Sequence, residues 1–232
     1  MSDVQNVQVG EVRLAYRMWG EPDAPPAVLL HRLGEGGEDW RGVVGRLAGT
    51  HRVFALDQRG HGHSDWPGEY GFARRRDDAI GFVSALGLER VVLIGHSLGA
   101  VAALLMAADR PELVDRLVLE EAPPPLPADP PQEVPERPEG PLPFDWRAET
   151  AVVAERNTPD PLWWDALEKI GAPTLVIAGG SAGHVPQHLL AERADRIPDA
   201  RLVTVEGGGH LVHEERPGEF LAAVTGFLGA RS

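Results

Sequence analysis

One serine lies between two glycines in the segment VVLIGHSLGAVAALLMAADRP, which covers residues 91–111. The apolar residues before Gly95 predict a strand, and the alanine-rich residues from Leu98 onward predict a helix. Glycine at positions 95 and 99 removes side chains that would clash in so tight a turn. The turn would hold the Ser97 hydroxyl at the carboxyl end of a sheet, where the first N–H groups of the helix also point. The pattern predicts a nucleophilic serine with the Leu98 N–H as an oxyanion donor; a helix-capping serine in a glycine-rich turn is the alternative.

The composition of the chain limits the classes of partner and substrate that this protein can bind. The chain has 232 residues, no cysteine and a formal net charge of -13. The negative charge argues against nucleic acids and anionic membranes as partners and leaves a small-molecule substrate. The absence of cysteine excludes disulfides, cysteine nucleophiles and thiolate metal sites. The polar N-terminal residues lack the apolar stretch of a signal peptide, so we expect a cytoplasmic protein. Composition does not indicate the oligomeric state.

Alternating short apolar runs and amphipathic segments indicate the elements that position the serine. The apolar runs cover residues 27–31, 52–56, 91–95, 117–121, 174–178 and 201–205, and the helical patterns cover residues 39–47, 72–86, 98–108, 186–196 and 217–228. Residues 4–20 read as two further strands in a hairpin that turns at Gly10. This alternation predicts an α/β fold with a mostly parallel, doubly wound sheet of roughly eight strands.

Residues 122–173 interrupt this alternation. The segment is rich in proline and acidic residues, which excludes a regular helix or an inner strand over much of its length. Two short helical patterns follow, at residues 146–156 and 161–170. We predict a core formed by residues 1–121 and 174–232, with a small helical cap inserted after the sixth strand. A disordered linker is the alternative, against which the apolar residues Phe144, Trp163 and Trp164 argue.

The chain resembles the α/β-hydrolase superfamily through five motifs that occur in order. They are the oxyanion-loop segment VLLHRLGEGGEDW, the turn ALDQRGHGHSD, the elbow GHSLG, the strand APTLVIAGG and the segment GGGHLVHEERPGEFLAAVTGFL. The resemblance implies hydrolysis of an ester, thioester, lactone or amide without a cofactor or metal. It does not identify the substrate, because one fold serves many chemistries.

The same resemblance assigns roles to the histidines. His210 follows the last predicted strand and three glycines, at the position of the family's general base, and is expected to take and return the proton of Ser97. His213 is expected to hold the loop by local hydrogen bonds. His96, inside the elbow, is expected to pack or bond beneath it and is kept with His184 as a candidate substrate-binding residue.

The oxyanion loop departs from the family pattern. Relatives often have glycine after the histidine, whereas this chain reads His31, Arg32, Leu33 and Gly34. The alignment makes the Leu33 N–H the second oxyanion donor. Arg32 places a cation near the pocket, where it either binds an anionic group of the substrate or pairs with a nearby glutamate.

Two further features raise the question of pocket walls and metal ions. Trp163 and Trp164 are adjacent in a short helix and point about 100° apart. We therefore expect one to anchor the cap and the other to line the substrate entrance.

His61 and His63 lie near Asp57 and suggest a metal site, but a structural turn is the preferred interpretation. No histidine cluster has convincing metal-ligand spacing.

The position of the triad acid is the remaining question. The usual place after the seventh strand holds no aspartate, because residues 181–184 read SAGH. The sixth strand ends in Glu120 and Glu121, and haloalkane dehalogenases carry their acid at the end of this strand. Alignment with them makes Glu121 the candidate acid. If Glu121 instead bonds only to backbone, the chain would be a weak or inactive ligand-binding member of the fold. Cofactor-free haloperoxidase and carbon–carbon bond hydrolase activities also remain open.

Overall fold

A single twisted sheet organises the computed structural model, which describes residues 3–122 and 126–230. Eight strands lie in the order β1-β2-β4-β3-β5-β6-β7-β8. Their bounds are β1 Gln5–Val9, β2 Val12–Trp19, β3 Pro26–Leu30, β4 Arg52–Asp57, β5 Val91–His96, β6 Val114–Glu120, β7 Thr174–Ala178 and β8 Ala200–Thr204. Strands β3 to β8 are parallel, whereas β1 and β2 form the antiparallel hairpin expected at one edge. The predicted α/β fold is confirmed.

Helices cover both faces of the sheet, as buried parallel strands require. Their bounds are α1 Arg41–Leu47, α2 Phe72–Ala85, α3 Leu98–Asp109, α4 Arg147–Asn157, α5 Leu162–Ala166, α6 Gln187–Arg196, α7 Val212–Glu215 and α8 Pro217–Gly229. Side chains of α2 and α3 pack in one apolar cluster with the sheet, and those of α1 and α8 pack in a second cluster on the opposite face. The predicted helix at residues 39–47 begins as a 3-10 turn, Gly37–Trp40, before α1.

The insertion after β6 contains little regular structure until α4. Within the described part, residues 126–146 form turns and extended chain, followed by α4, α5 and the 3-10 turn Leu167–Lys169. Pro123, Pro124 and Pro125, which the predicted cap includes, lie outside the described residues. Phe144 attaches the segment to the core by stacking on His61, with ring centroids 5.4 Å apart. The division into core and cap therefore stays a prediction of the sequence that these elements support.

Helix α3 packs unusually close to the strands on either side of the elbow. A Cβ atom added to Gly99 would lie 2.1 Å from the carbonyl oxygen of Leu30 in β3. A Cβ atom added to Gly95 would lie 2.5 Å from the carbonyl oxygen of Gly99. Both contacts are to backbone, which cannot move away as a flexible side chain can. The two glycines are therefore required by the packing of α3.

Replacement of Gly99 by alanine tests this packing. We expect Gly99→Ala to lower the free energy of unfolding by about 1–3 kcal/mol or more, because the added methyl group overpacks a backbone contact. Gly226→Ala is the matched control, since Gly226 lies in α8 with no atom near the position of an added Cβ; it should raise stability by about 0.5–1 kcal/mol. Urea unfolding measures both, and equal stability of Gly99→Ala and the wild type would contradict the close approach.

Candidate active site

Ser97 occupies a strained backbone conformation between β5 and α3. Its φ is 49° and its ψ is -110°, a region that residues other than glycine rarely adopt. The strand ends at His96 and the helix begins at Leu98, so the turn consists of the serine alone. Because Leu98 is the first residue of α3, its N–H belongs to the helix end that attracts negative charge. This geometry matches the turn expected for a nucleophilic serine.

His210 reaches the same region from the loop after β8. Gly207 and Gly209, with φ of 72° and 58°, give this loop the left-handed turns that bring it back over the sheet. Ser97 and His210 line one cavity. Burial lowers the pKa of His210, although its interaction with Glu121 acts in the opposite direction. The imidazole is therefore neutral at pH 7 and able to accept a proton.

Glu121 provides the carboxylate that faces His210. The Nδ1 atom of His210 lies 3.5 Å from Oε2 of Glu121, at the long end of hydrogen-bond distance. The backbone N–H of Gly179 donates to Oε1 at 2.7 Å, and that of Val185 donates to Oε2 at 3.4 Å. Burial raises the pKa of Glu121, but hydrogen bonds from His210 and these two N–H groups outweigh it, so the net pKa is lowered. The side chain is thus an ionised acceptor that holds one tautomer of His210.

Glu120 points to the opposite side and binds the other histidine of the loop. Glu120 ends β6, and Glu121 follows it outside the strand with a φ of 43°, so the two neighbouring side chains face different ways. Nδ1 of His213 donates to Oε2 of Glu120 at 2.8 Å, and the His213 backbone N–H donates to Oε1 at 2.8 Å. Burial lowers the pKa of His213, but Glu120 and Asp39 raise it to about 10. The expected loop-holding role of His213 therefore takes the form of a buried ion pair.

His96 lies beneath the elbow rather than in the pocket. Its side chain is fully buried, and its Nε2 atom donates to the backbone carbonyl of His210 at 2.7 Å. Nδ1 of His96 faces the carboxylate of Asp39 at 4.0 Å. Of the two expectations for His96, the structure supports bonding beneath the elbow. His96 does not line the cavity that contains Ser97.

The cavity at Ser97 has a volume of about 550 Å³. His184, expected to line the pocket, does so, and its ring centroid lies 4.9 Å from that of His210. The rest of the lining comes from the insertion and from the residues at the start of α6: Leu126, Pro127, Ala128, Asp129, Pro130, Gln132, Arg156, Val185, Pro186 and Leu189. The insertion thus forms one wall of the cavity, as the cap prediction implies.

Arg32 is held by glutamates instead of facing the cavity. Its guanidinium lies 3.0 Å from Glu35 and 3.8 Å from Glu214. The alternative of a local ion pair therefore describes Arg32 better than a substrate contact. Leu33 packs against two apolar clusters, and the role of its N–H as an oxyanion donor stays a prediction.

Two buried histidines fix the backbone of the oxyanion loop. Nε2 of His61 accepts the N–H of Gly34 at 3.2 Å, and Nε2 of His31 accepts the N–H of Gln58 at 3.0 Å. Asp57 accepts the backbone N–H groups of Gly37 and His63, at 2.6 Å and 3.0 Å. The His61–His63 segment is accordingly built as the structural turn that the sequence favoured.

The two tryptophans lie away from the cavity. Trp163 packs edge-on against Phe72, with ring centroids 4.9 Å apart, and Arg196 lies 4.7 Å over the ring of Trp164. Both residues pack against the core, and neither is among the residues lining the cavity at Ser97. The expected division between one anchoring and one entrance tryptophan is therefore not seen: the adjacent residues do point apart, but towards two different packing partners.

Sequence reasoning missed Asp39 and the histidine cluster around it. Asp39 follows the oxyanion loop, and its side chain is 2% exposed beside His213 and His96. Burial raises the pKa of Asp39, but the two imidazoles hold it well below its ordinary value. The sequence carries no local signal for this group, because its members are far apart along the chain.

Comparison with known proteins places the chain in a family. Residues 27–224 match the model of the alpha/beta hydrolase family. The chain is 26% identical to the sn-1-specific diacylglycerol lipase ABHD11 of Mus musculus, over 98% of this chain and 89% of that protein. It is 27% identical to a 2-(acetamidomethylene)succinate hydrolase of Mesorhizobium japonicum, over 97% and 95%. The solved structure of a hydrolase from Pseudomonas aeruginosa superposes with a TM-score of 0.85 at 28% identity, covering 98% of this chain and 99% of that one.

The buried pair of Glu120 and His213 generates a stability prediction. Glu120→Gln should lower the free energy of unfolding by about 3 kcal/mol, because it removes one charge of a buried ion pair. Glu215→Gln changes an exposed carboxylate in the same loop and should alter stability by less than about 0.5 kcal/mol. Chemical denaturation at pH 7 compares the two variants; an unchanged midpoint for Glu120→Gln would show that the pair contributes nothing.

Proposed function

Because the chain belongs to the alpha/beta hydrolase family, we propose that it is a serine hydrolase that forms an acyl-enzyme on Ser97. The substrate is an ester, thioester, lactone or amide of a small molecule. The observation that carries the proposal is the line of contacts from Glu121 to His210, whose imidazole borders the same cavity as Ser97. A nucleophile, a base and the group that orients the base are the minimum set for this chemistry.

Each group has one task in the proposed reaction. His210 takes the hydroxyl proton of Ser97 as the oxygen attacks the substrate carbonyl, and it then gives that proton to the leaving group. The N–H groups of Leu98 and Leu33 receive the negative charge that develops on the carbonyl oxygen. Water, deprotonated by His210, then releases the acid and restores Ser97. Glu121 stabilises the imidazolium without taking its proton.

The backbone strain at Ser97 supports a catalytic role. Unfavourable φ values persist where the surrounding structure holds them, and they concentrate at active sites. Glu121 is the other described residue besides glycine with positive φ, at 43°. Two of the three proposed triad members therefore lie in strained turns at the ends of neighbouring parallel strands, β5 and β6.

The cavity supports a small substrate. Its volume of about 550 Å³ falls within the usual range for small-molecule sites, roughly 300–1,000 Å³. The lining combines apolar side chains, such as Leu126 and Leu189, with the polar Gln132 and Arg156. A substrate with an apolar part and a polar or anionic group fits this lining. Among the described residues no helix has the length and apolarity to cross a membrane, and a cytoplasmic location stays a prediction.

The contact between Glu121 and His210 weakens the case for a non-catalytic binding protein. That alternative was motivated by the vacant acid position after β7, where residues 181–184 hold no carboxylate. Glu121 supplies a buried carboxylate to the histidine from β6 instead. Haloperoxidase and carbon–carbon bond hydrolase activities would use the same triad, so they are separated by substrate assays.

Labelling by a fluorophosphonate probe tests the proposal. We expect one label per folded chain, because the probe phosphonylates a serine, with loss of fluoride, only when a neighbouring base activates it. Ser97→Ala should abolish labelling, whereas Ser64→Ala, at a buried serine that bonds only to backbone, should retain it if the variant folds. Folded wild-type protein that takes up no label would refute the serine mechanism. A series of p-nitrophenyl esters and lactones then defines the acyl length.

Replacement of Glu121 tests the acid assignment. Glu121→Gln should lower kcat by about 10⁴, the scale for a comparable acid-to-amide change, because the amide no longer fixes the tautomer of His210 or stabilises its cation. Turnover of the best ester, with circular dichroism to check folding, measures this. The neighbouring Glu120→Gln should affect stability more than kcat, so near wild-type turnover in Glu121→Gln would assign the orienting role to another group.

A further inference from the structure

A set of three buried side chains lies directly beneath the nucleophile turn. Asp39, His96 and His213 each place one potential ligand atom within 4.8 Å of the others. A carboxylate oxygen of Asp39 lies 3.7 Å from Nε2 of His213, and the second lies 4.0 Å from Nδ1 of His96. The side chains are 2%, 0% and 1% exposed. These separations exceed hydrogen-bond distance, so the atoms face one another without bonding directly.

The hydrogen bonds at the other side of each ring determine which nitrogen atom of each histidine faces Asp39. A carboxylate and a backbone carbonyl only accept, so Nδ1 of His213 carries the proton given to Glu120, and Nε2 of His96 carries the proton given to the His210 carbonyl. Nε2 of His213 and Nδ1 of His96 are thus the ring atoms that face Asp39. Within the described part of the chain, these two atoms and Oδ2 of Asp39 are buried without a hydrogen-bond partner.

Metal-binding histidines show this same outer arrangement. A ligating imidazole usually donates its second N–H to a carboxylate or a backbone carbonyl, which fixes the tautomer and raises the basicity of the ligand atom. His213 has the carboxylate of Glu120 in this role, and His96 has the carbonyl of His210. Both rings are therefore already oriented as ligands.

His213 faces two buried carboxylates, Asp39 and Glu120, so the carboxylates of the cluster outnumber its cationic imidazole. Asp39 and Glu120 are buried carboxylates, and the partly exposed Glu214 adds a third beside Asp39. Buried negative charges persist when they are paired or coordinate a metal.

We propose that Asp39, His96 and His213 bind a divalent transition-metal ion of the zinc class. Two imidazoles and one carboxylate are a common donor set for such ions. Three atoms within 4.8 Å of one another have a common centre at most about 2.8 Å from each. Inward movements of less than about 1 Å give the ligand distances of about 2.0–2.2 Å that zinc prefers. The second oxygen of Asp39 and the carboxylate of Glu214 are further oxygen donors available to the ion.

The proposed ion stabilises the site and does not take part in the reaction. None of its three ligands lines the cavity at Ser97. They come instead from the 3-10 turn after the oxyanion loop, from the last residue of β5 and from the short helix α7, which closely follows His210. One ion would join the three segments that position the oxyanion donors, the nucleophile and the base. A proton on His213 is the competing cation, because a proton and a metal compete for one lone pair.

Metal binding by untagged, chelator-treated protein tests the proposal. Equilibrium dialysis against Zn²⁺ should give one ion per chain, counted by atomic emission. His213→Gln and Asp39→Asn should abolish this binding, and Glu120→Gln should weaken it by about 10–100-fold, the usual effect of removing an outer partner of a ligand. His63→Gln, at a histidine that is 62% exposed beside Asp57, is the matched control and should bind as the wild type does.

If the variants do not fold, metal binding by the wild-type protein alone tests the proposal. With Co²⁺ bound, proton NMR should show two strongly shifted, exchangeable imidazole signals, from the His96 and His213 N–H groups that bond to His210 and Glu120. Absence of saturable binding by the wild type would overturn the proposal and leave His213 as the cation of the cluster. Binding that persists in folded His213→Gln and Asp39→Asn would overturn it as well, because the ion would then lie elsewhere.

Discussion

The close approach of α3 to β3 and β5 is the constraint on which the site depends. Gly99 brings the helix backbone against the carbonyl of Leu30, and Gly95 allows the strand to turn directly beneath it. Because the helix lies so close to the strands, a single residue connects β5 to α3. That residue is Ser97, and its φ of 49° is a strained backbone conformation. The serine, the helix end and the oxyanion loop after β3 therefore meet at one point because of one packing contact.

Two carboxylates at the end of β6, those of Glu120 and Glu121, have different partners and different roles. Glu121 faces His210 and Glu120 faces His213, and both histidines belong to the segment that follows β8. Glu121 keeps a neutral imidazole oriented, with two backbone N–H groups holding the acid. Glu120 binds a cationic imidazole instead and fixes the loop. The two neighbouring glutamates thus differ in the charge of their partners: Glu121 faces a neutral imidazole and Glu120 a cationic one.

The sequence predicts structural features that depend on neighbouring residues better than features that depend on residues far apart in the chain. The strands follow from short apolar runs and agree with the structure within a few residues. The largest difference is at β6, which begins at Val114 because the polar Asp115 and Arg116 extend the strand ahead of its apolar part. The contact between Glu121 and His210 agrees with the position that the family resemblance indicated, at the end of the sixth strand, where the usual position is vacant.

Features set by tertiary packing were beyond reach of the sequence. The cluster of Asp39, His96 and His213 joins residues separated by more than fifty positions, and no local pattern marks it. The tryptophans show the same limit. Helix geometry predicts that Trp163 and Trp164 diverge, but only the positions of Phe72 and Arg196 decide what each one meets.

The wall that the insertion contributes to the cavity has a consequence for the evolution of this protein. Residues 126–132 carry no regular structure and are tied to α4 by backbone and side-chain bonds at Arg156 and Asn157. The hydrogen bonds that the structure gives for Ser97, His210 and Glu121 go to residues of the core. Under the proposed function, mutations in the wall reshape the cavity while the reacting groups stay in place. Substrate preference and chemical competence would then be inherited on separate parts of the chain, and new substrates would be acquired by drift in the wall without loss of the reacting groups.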